Sequence, residues 1–155
     1  MDIFTVSLFG HREIGDLRGL EDRLLPMIKE LMREKEYVAF LIGRNGEFDE
    51  YAASLIKRAK REIGEEKSDM TLVLPYSVAR IEDYERYYDS VILPESVCGA
   101  HPKAAITLKN KWMVERSDLV IVYVERNAGG AYQAMRYAQR IGKDLINLFL
   151  IKRED

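Results

Sequence analysis

The stretch Ser117–Tyr132 constrains this chain most. Leu119 to Val124 is apolar at nearly every position, and a short polar turn with the paired glycines Gly129 and Gly130 leads straight into a helical pattern. A strand that is apolar throughout, rather than at alternate positions, is buried on both faces, as in a parallel sheet covered by helices. Glycines at its carboxyl end let backbone approach a ligand closely. The free N–H groups of the next helix then face that ligand with a partial positive charge. The segment locates a ligand site without naming the ligand.

The same alternation recurs along the chain. Ile3 to Phe9 reads as a strand ending at Gly10, His11 and Arg12. Leu17 to Lys35 reads as an amphipathic helix carrying Leu20, Leu24, Ile28, Leu31 and Met32 at helical spacing. Pro26 sits inside that pattern and is expected to kink or break it. Tyr37 to Ile42 is a second apolar run, closed by Gly43-Arg44-Asn45-Gly46, and the helical period returns from Phe48 to Ile63. A third strand is expected over Met70 to Leu74. Residues 76–100 read as a longer loop with a short strand at Ser90 to Leu93. A helix over Pro102 to Glu115, the strand at Leu119 to Val124, a helix over Gly129 to Ile141 and a strand over Leu145 to Leu150 complete the order. Strands alternating with helices predict one three-layer α/β domain spanning 1–155, its mainly parallel sheet flanked by helices on both faces.

Composition narrows the function classes. The 24 basic and 26 acidic residues leave a formal charge of −2, so no overall field favours nucleic acid or a membrane. With no basic stripe legible in the chain, nucleic acid is not expected as a partner. No apolar stretch approaches the ~20 residues that span a bilayer. The start, Met1 to Thr5, lacks a basic segment and an apolar core, so no signal peptide is expected. The lone Cys98 cannot form an internal disulfide, which fits a reducing cytoplasm. His11, His101 and Cys98 lack metal-ligand spacing, and no metal is expected.

Each glycine turn offers candidate ligand contacts with an alternative beside it. Gly10, His11 and Arg12 follow the first strand, where ligands of open α/β sheets sit. Arg12 either grips a phosphate or carboxylate or forms a structural ion pair with Glu13 or Asp49. Gly43, Arg44, Asn45 and Gly46 open a helix with Asp49 in its first turn. Asp49 either accepts a ribose hydroxyl or merely favours the helix dipole, and Asn45-Gly46 is otherwise a tight turn. Gly129, Gly130, Ala131 and Tyr132 form the best single candidate; the alternative is an N-terminal cap with glycine admitted for close packing. Lys109 and Trp112, three apart, share a helix face, either as a cation and aromatic pair around a ligand or as a solvated lysine beside a core residue. Tyr76, Tyr84, Tyr87 and Tyr88 either form a lid or partner surface or pack beneath the long loop.

Four segments, Leu8–Arg12, Gly43–Asp49, Leu72–Tyr76 and Lys109–Met113 through Gly129–Tyr132, together resemble the SLOG superfamily of Rossmann-like proteins. That group includes the LOG phosphoribohydrolases, the Smf/DprA proteins and the YpsA-like branch, to which the motifs are most similar. The resemblance implies a Rossmann-like fold that binds a nucleotide or nucleotide-derived ligand. LOG enzymes carry Pro-Gly-Gly-x-Gly-Thr and, within a turn, a glutamate for N-glycosidic cleavage. Here Gly129 and Gly130 remain, Tyr132 stands in place of the third glycine, and Met135 and Arg136 occupy the glutamate's stretch. Lys109 stands where the family has an arginine. Retaining the turn without the acid implies binding or sensing of a small phosphorylated ligand, with no catalytic residue assigned. The alternatives are a LOG-like nucleoside-5′-monophosphate phosphoribohydrolase and a protein-interaction module with a vestigial pocket. A homodimer would suit a small α/β domain, though no segment fixes an interface.

Overall fold

A computed structural model describes residues 1–152. The strands are β1 (Ile3–Gly10), β2 (Tyr37–Ile42), β3 (Ser68–Val73), β4 (Ser90–Ile92), β5 (Leu119–Tyr123) and β6 (Asp144–Asn147). They form a single sheet in the order β4-β3-β2-β1-β5-β6, every neighbouring pair parallel. The helices are α1 (Leu17–Glu34), α2 (Glu47–Ile63), α3 (Ile81–Tyr87), α4 (Pro102–Glu115) and α5 (Gly130–Arg140).

The strands divide their side chains by the two-residue period. Val6 and Leu8 of β1, Val38, Phe40 and Ile42 of β2 and Leu119, Ile121 and Tyr123 of β5 face a core shared with Leu20, Leu24 and Ile28 of α1 and Phe48, Leu55 and Ile56 of α2. Phe9, Leu41, Val120 and Val122 face the opposite core, completed by Met113 and Val114 of α4 and Ala131, Ala134 and Ala138 of α5. Small residues along α5 bring that helix close to the sheet. The architecture is the three-layer α/β sandwich the sequence predicts.

Local departures from the sequence reading have identifiable causes. Helix α1 runs unbroken through Pro26, with the fully buried Leu24 and Ile28 holding it to the sheet on either side. At its start Asp16 accepts from the Gly19 N–H at 2.9 Å, capping the first turn. Residues Ile81–Tyr87, expected as loop, form α3; this helix buries none of its residues, so it shows no apolar stripe to read. The last strand stops at Asn147, not Leu150, and Leu148–Leu150 is a 3₁₀ turn. Asn147 is the cause: its Oδ1 accepts from the N–H groups of Val124 (3.1 Å) and Phe149 (3.2 Å), and its Nδ2 donates to Val124 O (2.9 Å). One side chain thus takes over the bonding that a longer ladder would use.

Strand β1 has β2 on one side and β5 on the other. The chain reverses its direction of winding between β1 and β5, which opens a crevice beyond their carboxyl ends. The glycine turns meet at that crevice.

Candidate functional site

A cleft of about 320 Å³ lies at the carboxyl ends of β1, β2 and β5, bounded by α4 on its far side. Each wall is built differently.

At the end of β1, Gly10 is glycine for packing: a Cβ there would fall 2.1 Å from Phe48 Cγ. His11 is buried, and its Nε2 accepts from the N–H groups of Glu125 (3.0 Å) and Arg126 (3.4 Å). The imidazole therefore lines the cleft while tying the β1 loop to the loop after β5. Burial, and then the charge of Arg126, hold its pKa below the ordinary value against the opposing pull of Glu125. Arg12 is held by its backbone. Its carbonyl accepts from Glu47 N–H at 2.8 Å, and Gly46 packs on its Cα where a Cβ would come within 2.4 Å. Its side chain reaches the cleft, and among the described residues it makes no ion pair, with Glu13, Asp49 or any other acid.

At the end of β2, Gly43 leaves room for a buried charge. A Cβ there would lie 2.7 Å from Lys109 Nζ and 3.2 Å from Asp49 Oδ2. Lys109 is only 1% exposed, so the solvated-lysine alternative is excluded. Asp49 is buried too, and its Oδ2 accepts from Asn45 N–H at 2.9 Å. Burial pushes the Asp49 carboxyl above its ordinary range, against Lys109 and that N–H. Burial likewise depresses Lys109, against Asp49.

At the end of β5, Gly129 has φ of 93°, a backbone that needs glycine. Gly130 and Ala131 begin α5 and line the cleft. A Cβ on Gly130 would meet nothing closer than Asn110 Nδ2, at 3.7 Å, so it would project into the open space. Gln133 N–H is bonded to Gly129 O, leaving the preceding N–H groups as the helix's unsatisfied donors.

Three predicted residues lie elsewhere. Arg44 turns away to donate from Nη1 to Tyr84 Oη at 3.0 Å, its guanidinium 4.9 Å from that ring, in a separate hollow with Tyr87 and Tyr88. Gly46 serves the packing against Arg12. Tyr132 faces the groove between α4 and α5. Trp112 parts from Lys109 as well, and carries Arg116 over its ring at 4.1 Å.

Sequence reasoning missed Ile106, Asn110 and Arg126 as cleft residues. Asn110 is 9% exposed, and its buried Oδ1 has no hydrogen-bond partner among the described residues. Its position beside Lys109 was the available signal, since an asparagine is unfavourable within a helix unless its amide has work to do.

No protein-family model matches the chain, and no curated protein matches it. Solved structures do. DNA processing protein A (DprA) from Streptococcus pneumoniae superposes with a TM-score of 0.66 over 92% of this chain and 49% of that one, at 15% identity. The fold is similar to that of about half of this DprA chain. DprA from Helicobacter pylori, described for its single-stranded DNA binding mode, superposes with a TM-score of 0.62 over 92% of this chain and 63% of that one, at 16% identity. The chain spans about half the length of the first of these proteins. At such identities the likeness is one of fold, and it agrees with the superfamily resemblance read from the motifs.

This likeness corrects one expectation. Net charge and the absence of a basic stripe lead the sequence reading not to expect nucleic acid as a partner. A protein of the same fold binds single-stranded DNA, so those two observations do not exclude it. The physical reason is that a binding surface depends on where folding places cations, which a linear charge count does not record. Among the described residues no helix is long and apolar enough to cross a membrane.

Proposed function

We propose that the cleft binds the phosphate of a nucleotide unit, free or within a single strand, without cleaving it. The observation that carries this reading is the buried ammonium of Lys109, set among three strand-end turns and opposite the free N–H groups that begin α5. A helix N-terminus with a desolvated cation across from it is complementary to a dianion. Arg12, which closes no ion pair among the described residues, adds a second charge, and Asn110 Oδ1 awaits a donor such as a sugar hydroxyl. The DprA likeness extends the source of that phosphate from free nucleotides to single-stranded DNA.

The absence of chemistry is supported by the state of the acids. Among the described residues Asp49 is the one carboxylate lining the cleft, and it is engaged by Asn45 N–H and by the charge of Lys109. Glu47 Oε1 is taken by Ile14 N–H at 3.0 Å. The resemblance implies hydrolysis through a glutamate where Met135 and Arg136 stand. We infer a cytoplasmic location from the lone cysteine.

Calorimetric titration with AMP, ADP-ribose, NAD, cyclic dinucleotides, free phosphate and a short oligothymidylate, with base release assayed on the same samples, tests the reading. Saturable binding without base release is expected. In Gly130→Val, whose new methyl groups enter the open cleft, binding is lost while the thermal midpoint is retained. Base release would establish the hydrolase instead, and unchanged affinity in Gly130→Val would remove the site.

A further inference from the structure

The face of the sheet covered by α4 and α5 carries a second concavity, a groove of about 660 Å³ between those two helices. Its lining includes the cations Lys111, Arg136 and Arg140 and, among the described residues, no acidic one. Among the described residues none of the three closes an ion pair. Surface cations left unpaired around a concavity create a positive field that focuses on anions.

Aromatic rings lie between the charges. Lys111 Nζ is 5.3 Å and the Arg140 guanidinium carbon 5.1 Å from the centre of the Tyr137 ring. Tyr137 Oη donates to Glu115 Oε2 at 3.2 Å, which fixes the ring from its far end. Tyr132 lies five residues earlier on the same helix, with Arg136 one turn on from Tyr132. Gln133 and Gln139 add amides able both to donate and to accept. Alternating cations and aromatic rings, edged by amides, match the chemistry of a polynucleotide, whose phosphates and bases alternate.

The groove does not stand apart from the cleft. Asn110 lines both, and its buried Oδ1 has no partner among the described residues. Helix α5 begins in the cleft at Gly130 and ends in the groove at Arg140. At 1.5 Å per residue that path is about 15 Å long. It accommodates roughly four nucleotides at the 3.4 Å spacing of a stacked strand.

We infer that the α4–α5 groove is the path of a single-stranded nucleic acid leaving the cleft. Lys111, Arg136 and Arg140 contact its phosphates, and Tyr132 and Tyr137 contact its bases. This rests on the reading of the cleft as a nucleotide-phosphate site. It adds a track that would favour a strand over a mononucleotide.

The test is fluorescence anisotropy with labelled oligothymidylates from about 2 to about 12 nucleotides, a range that brackets common single-strand site sizes. Oligouridylates in parallel separate RNA from DNA as the source, and tight binding of either supports the track. The affinity of the native protein should rise with length until the groove is filled. Lys111→Ala/Arg136→Ala/Arg140→Ala should lose that gain while binding the dinucleotide as before. Three phosphate contacts at a single strand contribute about 2 to the slope of log affinity against log salt. Between about 50 and 200 mM salt the native protein should therefore lose about 20-fold more affinity than the variant. Arg136→Glu, at an exposed position, is a second variant should the triple change disturb folding.

Equal length dependence and salt slope in native and variant proteins would overturn the track and leave the cleft reading standing. Failure of the dinucleotide to bind, with longer strands still dependent on the three cations, would remove the cleft reading and keep the groove. A variant that changes oligomeric state by light scattering, with strand affinity unaltered, would assign the groove to a second copy of the chain and overturn the inference.

Discussion

His11 offers the sharpest check on how the cleft is held together. Its Nε2 accepts from two backbone N–H groups, at 3.0 and 3.4 Å, across the seam between the β1 loop and the loop after β5. Replacing it with leucine preserves bulk but leaves both donors without an acceptor. The site is partly buried, so some water reaches the donors. The lower part of the usual penalty applies, about 1–2 kcal/mol. For a domain of this size each kcal/mol moves the thermal midpoint by about 2–4 °C, giving an expected drop of about 2–8 °C. The pH dependence carries the more specific signature. Burial and Arg126 depress the His11 pKa below its ordinary 6.5, so the unfolded chain binds the proton more readily than the folded one. The stabilisation is therefore present in full above about pH 6.5. It is lost as pH falls through the depressed folded value, where protonated Nε2 would face two donors. Urea unfolding of native protein and His11→Leu from about pH 8 down to 5 should show two curves that converge on acidification. Parallel curves across that range would refute the assigned role of the imidazole.

Other consequences are as direct. Gly10→Ala places a methyl 2.1 Å from Phe48 Cγ and should cost about 1–3 kcal/mol. The cost should shrink in a Phe48→Ala background by at least about 0.5 kcal/mol, measured as a double-mutant cycle in urea. Lys109→Met removes the ammonium that pulls the Asp49 carboxyl down, so that pKa should rise further above its ordinary 3.8. A raised carboxyl contributes stability that is lost as pH increases through its folded value. The variant's stability should accordingly decline with rising pH over a wider span above 3.8 than the native protein's. Adding Asp49→Asn should flatten that decline in urea midpoints.

Much of the cleft was legible because its ingredients are local. Gly129 and Gly130 after β5, Gly43 after β2 and Gly10 at the end of β1 each stand where an apolar run ends, and parallel strands deliver such ends to one side of a sheet. Side-chain direction was less legible. Arg44 sits between Gly43 and Asn45 of the cleft, yet its guanidinium pairs with Tyr84, a residue of a helix that shows no apolar stripe. Lys109 and Trp112 share a face by spacing, but one is buried beside Gly43 within the field of Asp49 while the other packs beneath Arg116.

The sequence by itself determined the alternation of strands and helices, the parallel sheet buried on both faces, and the glycine turns as the place for a ligand. These follow from periods of 2 and 3.6 residues and from backbone freedom, all properties of a few consecutive residues. Tertiary structure alone decided that Lys109 would be a buried charge and that Asn110 would carry an unpartnered carbonyl. It also gathered Lys111, Arg136 and Arg140 into one basic groove, although they are separated along the chain by a strand and a turn. Such juxtapositions arise from how α4 packs beside α5 on the sheet, and charge order along a chain does not encode that packing.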